Sequence, residues 1–174
     1  MNRSTTLETP AGPFTYLVSD AGAVRAAGFT TDVNALLTLV PEKLREETRP
    51  AADPGPVGKA VLAYFDGDVR AIDDVVVEQH TAGPFTAHAW RVMRKIKPGY
   101  PLTYTGFAAL AGRPAAVRAA AAACARNPVA LFVPCHRVIG TDGTLRGYRW
   151  GLGVKTWLLG HEREASLQPV GIPQ

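Results

Sequence analysis

Residues 105–126 read TGFAALAGRPAAVRAAAAACAR, and the reading of this stretch decides the fold. Thr105 to Ala111 predicts a short helix, Gly112-Arg113 a tight turn, and Pro114 to Arg126 a second helix. Pro114 suits the first helical turn, where its missing N–H costs little. Two helices joined by a tight glycine-containing turn make a candidate helix-turn-helix, although an ordinary helical hairpin has the same pattern. Charge separates these readings. Residues 1–83 carry 7 Lys/Arg against 12 Asp/Glu, residues 84–165 carry 12 against 3, and the last nine residues are uncharged. The overall +4 therefore hides a half at −5 and a half at +9, and the basic half is expected either to meet a polyanion or to be a solvated face without a partner.

The second helix narrows the kind of contact. Of the twelve residues from Ala115 to Arg126, eight are alanine, and Arg118 is the only long polar side chain in its body. A sequence-specific reader needs several side chains that can hydrogen-bond base edges. Small side chains instead let a helix backbone approach closely, and one arginine can fill a gap in a base stack. The expectation is a helix lying against DNA without reading its sequence, in the minor groove. Alanine is the best helix former, which explains the helix but not its lone arginine.

Working outward, the boundary between the halves is expected near Thr81-Ala82-Gly83-Pro84. Upstream, Phe14–Val18 and Ala23–Phe29 predict strands joined by the turn-forming Ser19-Asp20-Ala21-Gly22. A helix around Val33–Leu39, a surface loop over residues 45–56, a helix over Gly58–Phe65 and a strand over Ile72–Val77 complete a small α/β unit. It carries no chemical motif and is expected to act as support. Downstream, Thr86 predicts the N-cap of a helix to about Lys95, and Lys97-Pro98-Gly99-Tyr100-Pro101 breaks it.

With 47% apolar and 20% charged residues, 174 residues can build one domain or two small ones. No apolar stretch approaches a membrane span, and Met1–Thr6 has no signal-peptide core, so the protein is expected to be cytoplasmic. Cys124 and Cys135 lack zinc-knuckle spacing and the four histidines are scattered, so no metal site is expected and both thiols should be free. His80, His88, Trp90, Trp157 and Cys124 read as surface or packing residues.

Asn127-Pro128 ends the second helix, and Val129–Val133 predicts a short buried strand leading into Pro134-Cys135-His136-Arg137-Val138-Ile139-Gly140. Adjacent residues on a strand point to opposite faces, so coupling Cys135 to His136 needs a turn after Pro134 or a bridging water. A thiol becomes nucleophilic where a base or a positive charge favours the thiolate, and His136 and Arg137 both adjoin this sulfur.

Pro134 to Val138 resembles the active-site signature of the O6-alkylguanine-DNA alkyltransferases, also called methylated-DNA–protein-cysteine methyltransferases. Tyr104, Ala108-Ala109-Leu110-Ala111-Gly112, Arg118, Asn127-Pro128, Gly147-Tyr148, Lys155 and His161-Glu162 fall at matching spacings, so the resemblance covers roughly residues 84 to 165. It implies an α+β protein: a ribonuclease H-like α/β domain over 1–83, then a mostly helical, winged-helix-like DNA-binding domain over 84–174. It implies irreversible, single-use transfer of an alkyl group from O6-alkylguanine in double-stranded DNA to Cys135, by a monomer, with no cofactor. His136 would act as base through a water, Glu162 would stabilise the imidazolium, and Asn127 would hold the turn bearing Cys135. Arg118 would enter the duplex in place of the damaged nucleotide, and Tyr104 would help rotate that nucleotide out and bond it. Backbone groups at Cys135, Val138 and Arg149, with Tyr148, would line the guanine pocket, while Lys155 would contact the cysteine loop or phosphate. Trp150, where some relatives carry small residues, would narrow the pocket. Alkyl size, O4-alkylthymine and cooperativity along DNA stay open.

Overall fold

In the computed structural model, residues 1–52, 55–81 and 83–167 are described. Strand β1 (Asn2–Thr9) turns into β2 (Gly12–Val18), which returns as β3 (Val24–Gly28). Both pairs are antiparallel, and Gly12 accepts the φ of 111° that the first turn demands. Helix α1 (Val33–Leu37) follows, with the Asp32 carboxylate accepting from the Asn34 N–H at its N-cap. Strand β4 (Thr48–Pro50) then joins β1 in parallel, giving the order β3-β2-β1-β4. Helix α2 (Gly55–Phe65) buries Val57, Val61 and Tyr64, a stripe at helical spacing.

Strand β1 has no counterpart among the sequence-based expectations. Leu7 is its only aliphatic residue, so hydropathy alternation is silent there. Its inward Asn2 is fully buried, and the Asn2 Oδ1 accepts from Arg25 Nη1 at 2.9 Å. The loop expected over 45–56 contains β4 and the start of α2. The strand expected over Ile72–Val77 is instead a series of turns, tied to β3 by a single bridge, Val24↔Val77. Arg94 accounts for part of this: its Nη2 donates to the carbonyls of Ile72 and Asp73, each at 3.1 Å, removing acceptors that a ladder would need.

Helix α3 (Pro84–Met93) starts on Gly83 rather than Thr86, because Pro84 at N1 sets the helical φ. Strand β5 (Leu102–Thr103) leads into α4 (Tyr104–Leu110), whose N-cap Thr103 accepts from the Gly106 N–H at 3.0 Å. The turn through Gly112, at φ 84°, then leads into α5 (Val117–Ala125). This second helix begins three residues later than Pro114 predicted, since residues 113–116 close a separate turn through Ala116 N–H to Arg113 O. Trp90 Nε1 donates to Ala123 O at 2.9 Å and fastens α3 to α5.

Val129–Val133 is a compact buried turn, not the expected strand. Leu131 takes φ 72°, the left-handed region, and only Val129 bridges, to Ala27 of β3. A 3-10 turn over Cys135–Arg137 follows, then β6 (Val138–Ile139), parallel to β5, and α6 (Leu152–Leu167). One core cluster runs through both halves, joining Phe14, Val24 and Tyr64 to Met93, Phe107, Phe132 and Leu158. The result is a mixed α/β fold with a small sheet. Among the described residues no helix is long and apolar enough to cross a membrane.

Candidate active site

The turn that carries Cys135 is built from its neighbours' backbone. Asn127, at the end of α5, donates through Nδ2 to Val133 O at 2.7 Å and accepts at Oδ1 from the Val129 N–H at 3.0 Å. Gln79 Nε2 donates to the same oxygen, and the Asn127 side chain also hydrogen-bonds Cys135. One buried amide thus closes the loop from 127 to 135.

Cys135 opens onto a cavity of about 320 Å³ lined by Tyr104, Cys124, Asn127, Tyr148, Arg149 and Trp150, with the small side chains of α5. Tyr104 sits at the first position of α4, and burial pushes its hydroxyl up to about 12, so it remains a donor at neutral pH. The Tyr148 hydroxyl is buried without a hydrogen-bond partner among the described residues. Arg149 donates to Ala125 O at the C-terminal end of α5, which pins the pocket wall to that helix. Trp150 lines the cavity while its ring rests on Gly28 of β3, where a Cβ would lie 2.2 Å from the ring.

Behind the cysteine, His136, Arg137, Lys155 and Glu162 are buried. His136 Nε2 faces Glu162 Oε2 at 2.9 Å, and His136 Nδ1 has no hydrogen-bond partner among the described residues. A carboxylate opposite Nε2 selects the tautomer with the proton there, leaving Nδ1 as an acceptor. Arg137 donates from Nε and Nη2 to the two Glu162 oxygens, each at 2.9 Å, and from Nη1 to Ile96 O at 2.8 Å. The expectation that Arg137 acts on the sulfur is therefore corrected: its guanidinium is committed to Glu162. The positive charges that favour the thiolate are those of Lys155 and Arg149. Lys155 Nζ donates to Val138 O at 2.7 Å and Gly147 O at 3.2 Å, so it ties the cysteine loop to the pocket wall rather than facing solvent.

Burial pushes the Cys135 thiol up, against the Asn127 hydrogen bond and the Lys155 and Arg149 charges. Burial likewise lowers His136, against the pull of Glu162, and leaves Lys155 below its ordinary value. Although Glu162 is buried, His136 and Arg137 hold its carboxyl well below the usual range. A neutral thiol, a neutral imidazole and an ionised carboxylate make an activated nucleophile whose base is oriented by a third group.

Expected site residues divide into three places. Tyr104, Asn127, Cys135, Tyr148 and Arg149 meet at the cavity, and His136, Glu162 and Lys155 stand behind it. Val138 lies off the cavity with its carbonyl taken by Lys155, and Arg118 is exposed near the start of α5. Sequence reasoning missed two residues. Cys124 lines the cavity instead of merely packing, and helical spacing with Ala121 and Ala125 would have shown the shared face. Tyr64, from the half read as inert support, donates its hydroxyl to Glu162 Oε2 at 2.7 Å.

Residues 84–164 match the family model described as 6-O-methylguanine DNA methyltransferase, DNA binding domain. A methylated-DNA–protein-cysteine methyltransferase of Salmonella typhimurium is 37% identical over 160 residues, covering 90% of this chain and 92% of the relative. The chain belongs to this methyltransferase family. Its fold is similar to that of the Mycobacterium tuberculosis O6-methylguanine methyltransferase crystal structure, at TM-score 0.78 and 29% identity over 99% of this chain and 98% of that one. The Mycobacterium tuberculosis structure in complex with DNA is similar at TM-score 0.75 and 28% identity, with 94% of each chain covered. Of the two cysteines, Cys135 is the one held by Asn127 beside His136.

Proposed function

We propose that the protein repairs DNA by moving the alkyl group of O6-alkylguanine onto Cys135, once per molecule. The observation that carries this reading is Cys135 lining a cavity of about 320 Å³, with a glutamate-held histidine next to it in the chain whose Nδ1 has no partner among the described residues. As Sγ attacks the alkyl carbon, the S–H proton passes to His136 Nδ1, directly or through one water. The C–O6 bond breaks with its electron pair on the base, and the proton taken from the thiol is returned from the His136 imidazolium, through water, to guanine N1. The displacement balances without a cofactor, and the resulting thioether has no route back to a thiol, which makes the reaction single-use.

The alkylated oxygen sits inside a stacked duplex, so the nucleotide must rotate out, at a cost of about a few kcal/mol. Arg118, exposed near the start of α5, would occupy the gap. Tyr104 would donate to the extruded base, and the buried Tyr148 hydroxyl would gain a partner when guanine enters. The basic residues of 84–165 would neutralise phosphates of double-stranded DNA, with the alanine face of α5 in the minor groove.

The same reading divides the chain into a supporting domain over 1–83 and a transferase domain over 84–174, acting as a cytoplasmic monomer. The antiparallel β3-β2-β1 order with β4 parallel to β1 supports a ribonuclease H-like first part. The α4–α5 pair beside the small β5–β6 sheet supports a winged-helix-like second part. Intact-protein mass spectrometry after incubation with duplex DNA containing O6-methylguanine tests the function. One added methyl group, mapped to Cys135 and stopping at one per chain, is the expected result. Lesion binding without a mass gain would mean recognition without transfer.

A further inference from the structure

Glu162 Oε2 is shared by three donors. The Tyr64 hydroxyl reaches it at 2.7 Å, His136 Nε2 at 2.9 Å and Arg137 Nη2 at 2.9 Å. Of these only Tyr64 comes from upstream of residue 84, and both Tyr64 and Glu162 are fully buried. Its placement is over-determined. The His161 ring lies 2.7 Å from the Tyr64 carbonyl oxygen through Nε2, and the Tyr64 ring meets Phe65 and His161 edge-on at centroid distances of 5.0 and 5.2 Å. The hydroxyl has little freedom to do anything but hold Glu162.

We propose that Tyr64 is a positioning residue for alkyl transfer: it fixes the Glu162 carboxylate and, by sharing the oxygen that holds His136, keeps that imidazole a neutral base. The proposal rests on the reading of His136 as the base for Cys135. A carboxylate oxygen that already accepts from a phenol and a guanidinium is a weaker acceptor for a third donor, so it stabilises the imidazolium less. The first half of the chain then sets the proton affinity of the base that works in the second.

The groups around the pair are few. Tyr64 comes from α2, Cys135 and Arg137 from the catalytic turn, Tyr148 from the loop before α6, and Lys155 and His161 from α6. Asp73, after α2, acts through Arg137. Lys155 and Arg137 oppose a cationic His136, Glu162 favours it, and burial outweighs the attraction. Tyr64 moderates the one attractive contribution.

The test is the pH dependence of single-turnover methyl transfer from duplex O6-methylguanine to the full chain. Tyr64→Phe leaves Glu162 more available to His136 and so raises the histidine toward its ordinary value. The acid limb moves to higher pH, and the rate on the acid side falls relative to the plateau by about 3- to 10-fold, equivalent to half to one pKa unit. Replacement of Tyr64 by 3-fluorotyrosine, a stronger donor of nearly the same shape, moves the limb the other way and decides the matter if Tyr64→Phe does not fold. A purely structural tyrosine would change the rate equally at every pH and leave the midpoint in place, which overturns the proposal. His136→Gln separates the two levels. If it keeps the wild-type rate and acid limb, the base reading itself falls. If it loses the limb while both Tyr64 variants keep the wild-type midpoint, only the role of Tyr64 falls.

Discussion

Replacing Asn127 by alanine removes the clamp on the catalytic turn. Its amide makes the 2.7 Å bond to Val133 O and accepts the Val129 N–H at 3.0 Å, and both partners are buried. The buried Val129 N–H is left without a partner, at about 1–3 kcal/mol, while Val133 O keeps the Cys135 N–H and loses one of two bonds, at about 0.5–1.5 kcal/mol. A sum of about 3 kcal/mol corresponds to a fall in Tm of about 6–12 °C for a chain of this size. Asn127→Asp keeps an acceptor for Val129 but turns a carboxylate oxygen toward Val133 O, acceptor against acceptor, so it should lose at least as much. Leu131, at φ 72°, sharpens the prediction, because this turn relies on outside bonds to hold a conformation that leucine disfavours. Thermal melts of the three proteins read the stabilities, and single-turnover transfer reads the site. Both variants should also transfer more slowly, since the Asn127 bond favours the Cys135 thiolate. An Asn127→Ala protein melting within about 1 °C of wild type would refute the clamp.

Four other outcomes follow from the same geometry. Cys135→Ala should abolish methyl transfer yet keep DNA binding in a gel-shift titration, because the basic surface is untouched. Arg118→Ala should slow repair of duplex DNA more than reaction with free O6-benzylguanine, and equal losses on both would contradict a role in extruding the nucleotide. Burial holds His136 below the ordinary histidine value, so the unfolded chain binds the extra proton first and stability should fall as pH drops below about 6.5. Glu162, held low in the folded state, adds its loss only below about pH 4.5. Urea unfolding of wild type and His136→Gln should show the higher-pH part of that slope in wild type alone. Trp150→Ala should raise the rate with O6-benzylguanine relative to O6-methylguanine, and should also cost stability because the indole packs against the buried cluster of Leu17, Ala26, Leu36 and Val40; an unchanged rate ratio would remove Trp150 from the pocket wall.

The helix pair α4–α5 was legible because its signals are local. Alanine propensity, a glycine at φ 84° and a proline near the second helix all act within a few residues. The elements that went unread depend on distant partners. Strand β1 exists because Arg25 and the neighbouring strands satisfy a polar sequence, and residues 72–77 fail to form a strand partly because Arg94 holds their carbonyls. The segment 129–133 looks like a buried strand by composition, yet Asn127 folds it into a turn.

The sequence by itself determined that the second half is basic, that one arginine stands on an alanine helix, and that Cys135 lies beside a histidine in a recognisable segment. These are properties of order and composition, and they needed no coordinates. Tertiary structure alone decided where the charges go. Arg137 adjoins the sulfur in sequence but turns away to Glu162, while Lys155 and Arg149, distant in sequence, supply the field at the thiol. It also decided that Tyr64 belongs to the site, 98 residues from the carboxylate it holds. Electrostatic interaction depends on separation in space and on burial, and neither can be read from separation along the chain.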